Sequence, residues 1–186
     1  YSGAFERGEE AARRASEIAD QLPSEDMVRG RVALVRVRLR LSDVKRFDLA
    51  AIVADCRTAI DAFKRARNAT ATGSERAALE WLQGVACGDL GEALVRAARI
   101  DEALSAFHDG AALSRLGGGL SNQVSLIAAQ ANLLVEYVGD FEGANALLQE
   151  KHRLAKQHGL IWDFLLTYLE YANLLRRQRR YEEAQE

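Results

Sequence analysis

The residues of this chain best suited to recognising another molecule fall in two groups. Trp162, Leu166, Leu169, Asn173 and Arg177 recur every three or four positions, so on a helix they form one row. Glu136 and Tyr137 lie about one repeat earlier. An aromatic ring, an amide and charges on one surface suit a sugar or a peptide; packing into a core accounts for Trp162 equally well. The second group is basic. Residues 26–67 carry eleven Lys or Arg against five Asp or Glu, and Arg29, Arg36 and Arg40 share a helical face at i, i+7 and i+11. That face reads either as a solvated ridge of extended stems or as a groove wall for an acidic or phosphorylated ligand, or for an acidic domain of the same parent protein.

Groups suited to covalent or metal chemistry do not converge. His108, His152 and His158 share no metal-ligand spacing, so no metal site and no cofactor are expected. Cys56 and Cys87 stand 31 positions apart without a C-x-x-C, and read as small core residues of a protein in a reducing cytoplasm. Paired acids such as Glu9-Glu10, Asp101-Glu102 and Glu182-Glu183 belong in first helical turns, where the helix dipole favours them. Gly117-Gly118-Gly119 before a helix offers an anion cradle in principle, but an inter-helix linker needs no ligand. No enzyme is expected.

The elements holding these residues are helices. The chain has 186 residues, one proline, 48% hydrophobic and 28% charged residues, and a net charge of −2. Such a length buries a continuous core, and the near-neutral charge argues against direct nucleic-acid binding. The longest uncharged run, residues 116–135, contains Ser121, Asn122, Gln123, Gln130 and Asn132, which argues against a membrane span. No initiator methionine opens the chain, which suggests a fragment.

One signature recurs: an apolar or aromatic residue, an acid, then a small residue three positions after the first. It appears at Phe47-Asp48 with Ala50, Ile100-Asp101 with Ala103, Phe141-Glu142 with Ala144, and Tyr181-Glu182 with Ala184; a weaker copy is Phe5-Glu6 with Gly8. Basic residues or glycine precede it and close one helix; the acid opens the next. The small residue lets two backbones approach. This predicts helices over about 4–21, 25–42, 47–68, 75–98, 101–116, 121–138, 141–157, 160–178 and from 181 onward, with breaks at Pro23-Ser24, 68–74, 117–119 and 158–159 and N-caps at Ser24 and Ser121. Residues 35–41 alternate like a strand. At helical pitch, however, Val28, Val32, Val35 and Leu39 form one stripe and Leu34, Val37 and Leu41 another, so helix is expected. Residues 75–98 are expected as one long helix, although Gly88-Asp89-Leu90 with Ala93 imitates the turn signature.

These residues resemble the tetratricopeptide repeat. Leu90-Gly91, Leu94, Ile100, Ala103 and Phe107 match its small and aromatic positions once; Ala128, Ala131, Val135, Gly139-Asp140-Phe141, Ala144 and Leu148 match again. The usual tryptophan and closing proline are missing, and the period is near 40 where the family has roughly 34. The resemblance implies an all-α, right-handed αα-hairpin solenoid of about nine helices, a single helical-repeat domain over residues 1–186 taken from a longer array. The first helix of each pair would line a concave surface. The longer repeat looks like the sensor region of large LuxR-type activators related to the maltose-regulon activator, which join an ATP-binding switch domain, a helical superhelix and a helix-turn-helix. That implies a small-molecule inducer or a peptide or protein partner, contacts with other domains of the parent chain, and self-association through uncapped ends. The alternative is a stand-alone interaction scaffold. No G-x-x-x-x-G-K-[ST] occurs in this chain.

Overall fold

The computed structural model describes residues 7–8, 10–15, 17, 26–42, 48–69, 72–180 and 183. Among them there are eight helical segments, where nine were expected, and no strand. The first segment comprises residues within 7–17. The others are α1 (Asp26–Ser42), α2 (Leu49–Ala69), α3 (Gly73–Arg96), α4 (Ile100–Leu116), α5 (Leu120–Leu133, continued by a π-helical turn, Leu134–Val138), α6 (Phe141–Gln157) and α7 (Ile161–Arg177). The ninth expected helix, the Pro23-Ser24 break, the Ser24 cap and the signature residues Phe5, Glu6, Phe47, Tyr181, Glu182 and Ala184 lie outside the described residues.

Local chemistry explains where helices start. Thr72 caps α3, its Oγ1 accepting from the Glu75 amide at 3.4 Å, and donates to Glu75 Oε2 at 2.8 Å. Asp140 caps α6, accepting from the Gly143 amide at 2.9 Å, and Asp48 accepts from the Ala51 amide at 3.0 Å. Ser121 is not a cap: α5 begins one residue earlier, after Gly119, which has no side chain to offer.

Helix exits are regular. The backbone turns left-handed at Ala98, Gly118, Gly139, Gly159 and Arg179, at intervals of 20, 21, 20 and 20 residues. Cations occupy the last turns, among them Arg96, Arg115, Lys156 and Arg176.

The chain divides into two compact units, Tyr1–Gly118 and Gly119–Glu186. In the first, Ala33, Leu34, Ala59, Phe63, Leu79 and Ala86 form a core cluster. Close approach is achieved with glycine. A Cβ on Gly30 would meet the Phe63 ring at 2.5 Å, and one on Gly91 the Phe107 ring at 2.4 Å. Consecutive helices pack against each other, and α1 also touches α3. Residues 35–41 are helical; Leu34 and Val37 are buried as expected, but Val35 is exposed. The α3 segment is one helix.

In the second unit, α5 packs on α6, α6 on α7, and α5 also touches α7. Its core is Ala131, Val135, Ala144, Leu148 and Leu174. The small signature residues Ala103 and Ala144 are fully buried in their respective units. Ala50 is exposed, because the inward face of α2 is taken by Ile52, Val53 and Cys56.

Candidate binding surface

The second unit positions its surface residues through the inner side of α7. Lys151 of α6, only 2% exposed, donates to both carboxylate oxygens of Glu170 at 2.6 Å. Thr167, fully buried, donates to the Asp163 carbonyl at 2.8 Å. Beside them His152, Phe164 and Tyr168 form an aromatic cluster, with His152 and Phe164 centroids 4.6 Å apart and Phe164 and Tyr168 5.5 Å apart and edge-on. With Leu174 these contacts fix which way α7 faces.

The opposite side of the helix consequently points outward. Ile161, Trp162, Leu165, Leu166 and Leu169 are all exposed, Trp162 by 77% and Leu169 by 68%. A helix that is apolar all round belongs in an interior, and a contiguous exposed apolar face ordinarily marks an interaction surface.

At the C-terminal end of α7 the surface becomes polar. Arg177 Nε donates to Glu136 Oε1 at 3.1 Å and its Nη2 makes a closer contact with Oε2. Asn173 Nδ2 reaches the same Glu136 oxygen at 3.4 Å, and Arg176 donates to Asn173 Oδ1 at 2.8 Å. Glu136 belongs to the π turn after α5, so this cluster joins the matching ends of α5 and α7. Ser121, Ser125 and Asn132, exposed on α5 in line with Glu136, continue the polar strip.

The structure thus brings together Glu136, Asn173 and Arg177 and leaves Tyr137 exposed beside them. Trp162 shares their helix but stands eleven residues from Asn173, roughly 16 Å along the axis. Of the two readings of Trp162, packing into the described core does not apply. Arg36 and Arg40 lie in the first unit, where both turn to one carboxylate: Arg40 donates to Asp55 of α2, and Arg36 Nε lies 3.7 Å from it. Arg29 pairs with Asp26 at 3.8 Å. Arg38, Arg57 and Arg65 likewise pair with Asp89, Glu102 and Asp26, so part of the basic excess of residues 26–67 is engaged by acids of the same unit.

Several features were not found from sequence. The Lys151–Glu170 pair bridges 19 positions, and Ile161 and Leu165 extend the apolar face beyond the row first singled out. Burial pushes the thiols of Cys56 and Cys87 up to about 12, so both stay protonated. Among the described residues no grouping could hold a metal ion and no helix is long and apolar enough to cross a membrane. The chain matches no protein-family model and no curated protein.

Proposed function

We propose that this chain is a partner-sensing module: a tetratricopeptide-like αα-hairpin array that serves a larger bacterial transcriptional regulator in the cytoplasm, and binds instead of catalysing. The observation that carries the binding role is the outward face of α7, where Ile161, Trp162, Leu165 and Leu169 lie uncovered and end in the Glu136–Asn173–Arg177 cluster. The array reading is supported by helix exits every 20 or 21 residues and by the contacts of alternate helices, α1 with α3 and α5 with α7. The regulator setting rests on the resemblance of the repeat alone.

The occupant that fits is an amphipathic helix. Apolar ridges at three- and four-residue spacing accept the side chains of a second helix, and the polar end fixes its direction. A protein partner equally serves the stand-alone scaffold, which is the second reading. A P-loop domain and a helix-turn-helix encoded beside this segment in the parent gene distinguish the regulator from the scaffold.

The surface is tested by a thermal-shift screen of amphipathic peptides, sugars, sugar phosphates and nucleotides, repeated with Trp162→Ala and Arg177→Ala. Peptides should raise the melting temperature, and Trp162→Ala should weaken binding about tenfold or more, as truncation of a buried anchor does. Hits untouched by both substitutions would remove this face as the binding surface.

A further inference from the structure

Left-handed glycines precede α5 and α7 at equivalent places: Gly118 and Gly159 are 41 positions apart, and so are the first helical residues, Leu120 and Ile161. Position for position, Ser121 therefore corresponds to Trp162, Ser125 to Leu166, Ala128 to Leu169 and Asn132 to Asn173. Ser121, Ser125 and Asn132 stay exposed although α6 and α7 both pack on α5. Packing of helix on helix in this unit thus leaves the stripe open and is compatible with serine along it. The large apolar groups on the same stripe of α7 are not there to hold the fold.

The uncovered area is that of one interface. At about 150–250 Å² for a large apolar side chain, the exposed parts of Ile161, Trp162, Leu165, Leu166 and Leu169 come to on the order of 600 Å². A standard protein interface takes about 800 Å² from each partner, somewhat over half of it apolar. Charge marks one edge of the face. At about 100° per residue, Asp163 and Arg177 lie within about 40° of each other around α7, at opposite ends and roughly 21 Å apart along its axis. Asp163 holds no ion pair among the described residues. Arg177 donates to Glu136 through Nε and Nη2, which leaves Nη1 of its five-donor fork for a second carboxylate. Leu169 stands near the midpoint of the two charges. The face is therefore complementary to itself turned end for end, whereas a parallel copy would set Asp163 against Asp163 and Arg177 against Arg177.

We infer that α7 pairs antiparallel with α7 of a second copy of this chain, Leu169 packing on its own counterpart at a two-fold axis and Asp163 of each copy pairing with Arg177 of the other. This rests on the reading of the α7 face as a binding surface and names its occupant. Trp162, Leu166, Leu169 and Asn173 recur at intervals of four, three and four, the spacing of a seam between two paired helices. A two-fold contact of this kind makes every pair of residues twice, so a short face suffices.

Sedimentation equilibrium of the whole chain should give a dimer at about 100 μM. Leu169→Glu sets two carboxylates together at the axis and should weaken association about thirtyfold or more, with circular dichroism unchanged. Asp163→Lys and Arg177→Glu should each weaken it, and the two variants mixed should associate again as a heterodimer. Leu169→Cys should yield a disulfide-linked dimer under mild oxidation, the native thiols being buried. Ile161→Cys, roughly 25 Å from its own counterpart, should not. A monomer at that concentration, a dimer indifferent to Leu169→Glu, or Ile161→Cys linking as readily as Leu169→Cys would overturn the inference. A monomer that still binds amphipathic peptides through Trp162 would overturn the self-pairing and leave the surface reading standing; loss of both would remove the face altogether.

Discussion

Asp89 of α3 is partly buried, its Oδ2 is enclosed and lacks a hydrogen bond, and the nearest cation, Arg38 Nε, is 3.8 Å away. Burial, opposed by Arg38 and reinforced by Glu92, pushes its carboxyl up to about 6, against 3.8 for the ordinary group. Between those values the folded chain holds a proton that the unfolded chain has lost. Stability contributed at this site is therefore lost as pH rises from about 4 to 6, and the penalty is fully present at neutral pH. Asp89→Asn should raise the unfolding free energy by about 1–3 kcal/mol at pH 7.5 and change it little at pH 4. Urea titrations at both values check this; an equal effect at the two would remove Asp89 as the origin. Single residues were legible in the sequence only where helical spacing ties them together. Asn173 and Arg177 share a row at i and i+4, and Glu136 follows one repeat earlier. Lys151 and Glu170 belong to two helices, so no spacing rule could have paired them. Asp55 likewise takes up Arg36 and Arg40 across two helices, which made a solvated basic ridge out of what is in part an ion-paired seam.

At the scale of the element, the α3–α4 pair is set by small residues. A Cβ on Gly84 would lie 2.4 Å from Ser114 Oγ and 2.9 Å from the Gly110 carbonyl oxygen. Gly84→Ala should destabilise by about 1–3 kcal/mol, because the obstacle is partly backbone. Gly73→Ala, at a helical position with nothing within 4 Å, should be neutral or stabilising by up to about 1 kcal/mol. Chemical denaturation of the two variants compares them directly, and equal midpoints would mean that the pair tolerates separation. The ends of α1 to α7 were legible to within two residues, because Gly-rich breaks, first-turn acids and last-turn cations act through local chemistry. The π turn at Leu134–Val138 was not, since its residues have the same apolar pattern as the helix it continues. The outward turn of Val35 was hidden too: periodicity gives two apolar stripes on α1 but not which neighbour covers each.

For the molecule as a whole, each compact unit has its own core: Phe63, Leu79 and Ala86 in one, Ala144, Leu148 and Leu174 in the other. Residues 1–118 produced alone should keep their helical circular dichroism and unfold cooperatively, as expected of nearest-neighbour helical packing. A 1–118 chain without a cooperative transition would show that this core is insufficient. The spacing of the left-handed residues has a consequence of another kind, for how such a chain tolerates gained and lost residues. The interval from Gly118 to Gly139 is 21 where its neighbours are 20, and it contains the π turn. A π turn is an α-helix with one residue to spare. Dropping one residue between 134 and 138 would bring that interval to 20 and restore ordinary helix, whereas a deletion within α4 or α6 would rotate every later side chain of the helix by about 100°. The chain thus carries a spare helical residue where the Glu136 carboxylate meets Arg177, and that is where loss of a residue would be best tolerated.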